Sequence, residues 1–235
     1  MENIRLPDSR EHRLTFYLAM EEYVAAAFGC GFFVWSVLPT VIFGRHQDME
    51  SEVNQQYCIE HGVTLVRRKS GGGCVYADKG NLMLSYITPQ TGVEAVFGEY
   101  LDKLASFLRS LGLNAVKTEH NDVLVDGHKV SGNAFFVHPK ASIVHGTLLY
   151  DVDMEAMQHA ITPSSVKLAK HSVSSVRQRV GNLVDLGLDM PEDELVERLE
   201  NAFCDSRRVL DPEDIREIEA LEESYLDPTF IVGKA

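Results

Sequence analysis

The chain has 235 residues, 45% of them hydrophobic and 24% charged, with a formal net charge of −13. This length and composition suit a globular fold with a sizeable core, and the acidic balance excludes a broad nucleic-acid-binding surface, which needs clustered Lys and Arg. No apolar run approaches the ~20 residues of a membrane span, the polar start from Met1 to Arg13 does not read as a signal peptide, and the scattered cysteines (Cys30, Cys58, Cys74, Cys204) suit neither a disulfide framework nor a zinc site, so a reducing cytoplasm is expected.

Taken in chain order, Leu14 to Phe28 reads as a helix, and Phe32 to Val37 and Thr40 to Phe43 as strands around Pro39. Glu50 to Glu60 reads as one helix and Val63 to Arg67 as a strand. A glycine-rich loop follows, then strands near Val75 and from Leu82 to Thr88. Val93 to Leu111 is a helix by its apolar spacing (Val93, Val96, Phe97, Tyr100, Leu104, Phe107, Leu108, Leu111), ended by Gly112. Val123–Val125 and Lys129–Ser131 flank Asp126-Gly127, a strong hairpin signal. Phe135–His138 and Ser142–Tyr150 flank Pro139-Lys140 as a second hairpin. Residues 189–223 hold fourteen acids and four arginines and read as two amphipathic helices, opened by Pro191 and by Asp211-Pro212. Sequential hairpins with helices outside them predict one α+β domain over residues 1–235, on a mixed, mainly antiparallel sheet.

Four segments can carry chemistry. In Arg67-Arg68-Lys69-Ser70-Gly71-Gly72-Gly73-Cys74, three cations precede three glycines, whose backbone N–H groups can turn together toward an anion. The run lacks the spacing of a P-loop or a dinucleotide fingerprint. It reads either as a phosphate or carboxylate site or as a hairpin with exposed cations. In the second segment a tight hairpin brings Asp122 near Lys129, which can serve as a point charge for a phosphate or form a routine surface ion pair. The third is His145-Gly146 on a strand, a base or a structural histidine. A hydrolytic triad of His145 with Ser131 and Asp122 is weak, because no serine sits on a Gly-x-Ser-x-Gly turn. Fourth, Lys167, Lys170, Arg177 and Arg179, interleaved with Ser172, Ser174 and Ser175, form a second basic cluster.

Together these segments resemble the lipoate–protein ligase family. The resemblance rests on VIFGRHQDMESEVN (41–54), RRKSGGGCVYADKGN (67–81), NDVLVDGHKVSGNAF (121–135), HGTLLYDVD (145–153) and SVRQRVGNL (175–183), in the family's order. It implies a fold shared with biotin–protein ligases and class II synthetase cores. It also implies a ligase that activates lipoate with MgATP to lipoyl-AMP and passes the lipoyl group to a lysine of a lipoyl domain. The implied acceptors are the acyltransferase subunits of 2-oxoacid dehydrogenases and the glycine cleavage H protein. Neither nucleic acid nor a membrane is an implied partner. The implied catalytic residue is Lys129, which contacts the lipoate carboxylate and the phosphate. The implied binding set is Arg68, Ser70, Gly71, Gly72, Gly73, Cys74, Val75, Tyr76, Asn81, Asn121, Asp122, Ser131, His145 and Gly146, with Asp122 also toward Mg²⁺.

The sequence departs from the family's usual pattern at Ala77, where His is common, and at Glu119-His120, where Arg is common. The accessory domain that follows in many members is not expected here, so a separate accessory protein is a candidate partner for adenylation. The alternatives are a lipoyl or octanoyl transferase using a preformed activated donor, and a non-catalytic lipoate-binding homologue. The loop from Lys69 to Gly73 is expected to be loosely ordered or extended without ligand, because glycine loses much backbone entropy on ordering.

Overall fold

The computed structural model describes residues 1–89, 92–161 and 180–233. The second basic cluster therefore lies outside the described residues. An eight-stranded sheet forms the centre. Its strands in chain order are β1 (Glu2–Arg5), β2 (Gly31–Trp35), β6 (Asn81–Thr88), β7 (Ala115–Lys117), β8 (Asp122–Val125), β9 (His128–His138), β10 (Ala141–Leu149) and β11 (Ser206–Val209). They lie side by side in the order β11-β1-β2-β6-β10-β9-β8-β7. The β11–β1 and β1–β2 pairs are parallel and the other pairs antiparallel, the mixed, mainly antiparallel sheet that the hairpins predict. A second sheet holds β3 (Thr40–Phe43) between β4 (Thr64–Arg67), which is parallel to it, and β5 (Val75–Ala77), which is antiparallel.

Neighbouring residues on one strand point to opposite faces of the large sheet, and both faces are buried. Phe33, Trp35, Ile87 and Ile143 pack toward α1 (Leu14–Ala27) and α7 (Pro212–Leu226), meeting Leu18, Val24, Ile215 and Ile218. Phe32, Leu84, Tyr86 and Val144 pack toward α4 (Val93–Ser110) and α6 (Glu192–Phe203), meeting Tyr100, Leu104, Leu199 and Phe203. This two-sided burial explains why the central strands read as continuous apolar runs. A third cluster around Val41, Phe43 and Tyr76 underlies the small sheet with α3 (Gln55–Glu60) and α5 (Met154–Ala160).

The helix predicted over 50–60 is two short ones, α2 (Met49–Glu52) and α3. Val53 leaves the helical path to bridge Ile161, and the Asn54 side chain caps α3 by accepting from Tyr57 N at 3.2 Å. The end of α4 follows the sequence closely. Gly112 has φ +87°, and Leu113 N reaches back to Leu108 O, closing the helix in a Schellman turn. Pro191 stands just before α6, not as its first residue. Asp211 caps α7 reciprocally with Asp214. A last short helix, α8 (Pro228–Val232), follows. No described helix is long and apolar enough to cross a membrane.

Candidate functional site

The hairpin β8–β9 builds the centre of the site. Asp126 (φ 47°) and Gly127 (φ 81°) form its tight turn, the left-handed pair that such a turn requires. With Leu124 opposite Lys129 and Asp122 opposite Gly132, Lys129 Nζ comes 2.7 Å from Asp122 Oδ1. The lysine side chain lies across Gly132, where a Cβ would stand 2.6 Å from its Cε. The close approach needs glycine there.

Two connected spaces meet at this lysine. One is a chamber with about 660 Å³ of free space whose inner wall is apolar: Leu14, Leu18, Trp35, Ile42 and Met83. The other is a larger, open cavity of about 1580 Å³, lined in part by Thr118, Asp122 and Glu52. Gly73, Cys74, Val75, Lys129, Gly132 and Thr147 line both, so the ammonium sits between the apolar chamber and a larger cavity whose mixed wall carries Asp122, Glu52 and Thr118.

Of the residues expected from the sequence, Arg68, Gly72, Asn121, His145 and Gly146 line the chamber, Tyr76 and Asp122 line the open cavity, and Gly73, Cys74, Val75 and Lys129 line both. Ser70, Gly71, Asn81 and Ser131 line neither. Asn81 is fully buried and donates to Tyr76 O at 3.1 Å. Ser131 accepts from Asn133 Nδ2 at 3.1 Å. Asn133 Nδ2 and backbone N both reach Asn121 O, at 2.9 and 3.0 Å, and Asn121 Nδ2 returns to Asn133 O. Asn121 is thus fixed at the chamber wall.

The glycine loop is shaped by its own arginine. Arg68 folds back into its own loop. Its Nη2 donates to Gly71 O and Gly73 O, both at 2.7 Å, its Nε to Ser70 Oγ at 3.0 Å, and its Nη1 to Ile42 O at 3.2 Å. Burial lowers its pKa to about 10, which leaves it cationic at neutral pH. Most of its donors hold the loop's own oxygens, so the arginine shapes the cradle while it also lines the chamber.

Ser70 also meets His145, with Oγ 2.6 Å from Nε2. His145 Nδ1 lies 2.9 Å from Glu21 Oε2, Ser85 Oγ donates to Glu21 Oε1 at 2.6 Å, and Trp35 Nε1 donates to Ser85 Oγ at 2.9 Å. The His145 ring thus bridges the Glu21 carboxyl through Nδ1 and the Ser70 hydroxyl through Nε2. This chain replaces the triad imagined with Ser131 and Asp122: the partners of His145 are Ser70 and Glu21. Sequence reasoning missed Glu21, Trp35 and the apolar wall. The available signal was a glutamate in the nearly all-buried helix LTFYLAMEEYVAAA.

The site thus combines an apolar chamber, a hydrogen-bonded chain through His145 and a lysine shared with a second cavity. The pattern of the lipoyl protein ligase A/B catalytic domain matches residues 14–204, and the chain belongs to that family. Lipoate–protein ligase 1 of Staphylococcus aureus is 38% identical over 173 residues, covering 72% of this chain and 53% of that protein. Lipoate–protein ligase LplJ of Bacillus subtilis is 37% identical over 146 residues, covering 62% and 44%. The chain therefore spans about half the length of these relatives. A similar fold occurs in the bipartite lipoate protein ligase of Thermoplasma acidophilum, solved with its E2 lipoyl domain, at TM-score 0.86 and 24% identity over 99% of this chain and 96% of that one. It also occurs in a lipoate–protein ligase A bound with ATP, at TM-score 0.85 and 23% identity over 99% of each chain.

Proposed function

We propose that residues 1–235 act as one catalytic domain that ligates lipoate to protein. Lipoate and MgATP give lipoyl-AMP and pyrophosphate, and an acceptor lysine then displaces AMP to form the amide. The observation that carries this reading is the position of Lys129 where the apolar chamber adjoins the larger cavity that holds Asp122 and Glu52. An acid with an apolar tail placed in the chamber puts its carboxylate there, and a nucleotide in the open cavity puts its α-phosphate there. These two anions repel each other, and a fixed ammonium offsets that repulsion as charge moves onto pyrophosphate. Asp122 holds the ammonium in place. The backbone from Gly73 to Tyr76 borders the nucleotide, and Arg68 keeps that backbone in shape.

Among the described residues no cluster of three or more His, Cys, Asp or Glu could cage a metal. The carboxylates lining the open cavity are Asp122 and Glu52. That donor set suits a Mg²⁺ arriving with phosphate oxygens, with Asp122 as its protein ligand. The ion would supply charge neutralisation on the triphosphate. The acceptors follow from the family: lipoyl domains of 2-oxoacid dehydrogenase acyltransferases and the glycine cleavage H protein.

The test is ATP–pyrophosphate exchange, with and without a candidate accessory protein. Exchange that depends on lipoate is expected. Its absence under both conditions would remove the ligase reading. Cys74 lines both spaces at the junction, which favours a thioester-forming acyl transferase as the second reading. An acyl adduct trapped on Cys74 by mass spectrometry, without exchange, would select it.

A further inference from the structure

The three cations at 67–69 point three ways. Arg68 turns into the glycine loop, Arg67 turns to the last described helix, and Lys69 reaches the helix before it together with Glu22 of α1. Arg67 is 3% exposed. Its Nε donates to Ile231 O at 3.0 Å and its Nη2 to Val232 O at 3.3 Å, both at the end of α8. Those terminal carbonyls have no partner within the helix and carry its negative dipole end, so a guanidinium fits them in shape and charge. From the same guanidinium, Nη1 reaches Gly44 O, Arg45 O and Gln47 O at 3.1, 3.0 and 2.8 Å. That turn touches the glycine loop directly. Arg45 N donates to Ser70 O at 2.9 Å, and a Cβ on Gly44 would meet Gly72 O at 2.4 Å.

Lys69 makes a second tie. Its Nζ donates to Glu22 Oε1 at 2.7 Å and to Ser224 Oγ at 3.3 Å, and lies 4.4 Å from the Tyr225 ring centroid. Tyr225 donates its hydroxyl to the same Glu22 oxygen at 2.5 Å. Burial and the Glu22 carboxylate raise the Tyr225 pKa, which keeps the phenol a donor. The loop is therefore tied on both sides of Arg68 to the two C-terminal helices, which line neither cavity, and through Glu22 also to α1, which supplies Leu14 and Leu18 to the chamber wall.

We propose that Arg67 and Lys69 are positioning residues that clasp the glycine loop to α7 and α8, so that the C-terminal helices set the loop path and through it the affinity for the acyl carboxylate. The ligand part of this rests on the ligase reading; the structural part does not. An anion-binding role for Arg67 would survive replacement by lysine, which keeps the charge. The clasp would not, because a single ammonium cannot span the α8 carbonyls and the 44–47 turn at once.

The experiment measures hydrogen exchange at the amides of Arg45 and Arg68, which donate to Ser70 O at 2.9 Å and to Phe43 O at 3.0 Å, in the full chain, in Arg67→Lys and in Gly233→Ala. A Cβ at Gly233 would stand 2.5 Å from Arg67 Nη2, so this variant disturbs the α8 side without deleting it. Exchange at these two amides should rise about tenfold or more in each, the loss expected for a hydrogen bond to a charged group, while β6 and β10 stay protected. The double variant should show little beyond the larger single effect, since both act on one connection. In lipoate-dependent ATP–pyrophosphate exchange the same variants should raise KM more than they lower kcat. Unchanged hydrogen exchange at Arg45 and Arg68 in both folded variants, or fully multiplicative effects, would overturn the clasp. If hydrogen exchange responds but neither the native chain nor any variant turns over lipoate, the clasp stands and the ligase reading falls.

Discussion

Lys129 owes its position to small neighbours as much as to its charge. Replacing it by Ala should leave the fold intact and cut adenylation by roughly 30- to several-thousand-fold, the range for one buried charge-assisted contact of about 2–5 kcal/mol. Initial-rate exchange assays beside a thermal melt would measure both. Gly132→Ala probes the same group from outside. The new Cβ would meet the flexible end of Lys129, with Nζ at 2.7 Å, so the side chain moves and the backbone stays. Adenylation should fall by about a hundredfold, the cost of misplacing a reacting group by roughly 1 Å, with little change in melting temperature. A Gly132→Ala enzyme with native rates would show that the observed lysine position is irrelevant. The approach of Lys129 to Asp122 was legible in the sequence because Asp126-Gly127 fixes the turn, whereas the bulge that shifts the register by one between Val123 and Leu124 and sets Asp122 opposite Gly132 was not. The partners of Arg68 were not, because apart from the Ser70 hydroxyl they are backbone carbonyls, present at every position and marked by no residue type. Glu21 stayed hidden for a related reason: an acid in a helix reads as a surface residue until the opposing sheet shows it is 2% exposed.

At the scale of elements, the β8–β9 hairpin turns local sequence into active-site geometry. Gly127→Ala places a Cβ in the left-handed region and should cost about 1–2 kcal/mol, lowering the melting temperature by about 2–4 °C per kcal/mol for a chain of this size. Native stability in that variant would mean that the turn contributes little to holding Lys129. The elements with strong signals, α1, α4, α7, β6, β10 and both hairpins, form close to where their periodicity and turn residues put them. The unread ones are the strands at or beside the sheet edges. β1, β7 and β11 have three or four residues each, and all four residues of β11 are exposed. They become strands because a neighbour offers unpaired N–H and C=O groups, as β1 does to β11 from Glu2↔Ser206 to Arg5↔Val209, and no propensity in Ser206-Arg207-Arg208-Val209 announces it. The break between α2 and α3 has the same origin, since Val53 is claimed by Ile161 from a distant segment.

For the molecule as a whole, the chamber and the larger cavity adjoin, sharing a border of Gly73, Cys74, Val75, Lys129, Gly132 and Thr147. A ligand that fills both at once loses its translational and rotational freedom only once, whereas lipoate and a nucleotide binding separately lose it twice. Such a ligand also bridges the segment at 73–75, contributed by the small sheet's loop, and Lys129 and Thr147, contributed by the large sheet. It should therefore stabilise the two sheets against each other. A non-hydrolysable lipoyl-adenylate analogue, with a sulfamoyl group in place of the phosphate, should raise the melting temperature more than lipoate and ATP added together at equal concentrations. Saturation at 100 times its dissociation constant adds about 2.7 kcal/mol to the folded state, a shift of roughly 5–11 °C at about 2–4 °C per kcal/mol. In Lys129→Ala the analogue's advantage should shrink toward the shift from lipoate alone, because the junction contact is lost while the apolar wall of Leu14, Leu18, Trp35, Ile42 and Met83 remains. Equal shifts for the joined and the separate ligands in the native chain would mean that the two spaces do not act as one site, and the assignment of the carboxylate and the α-phosphate to a common mouth at Lys129 would fail with it.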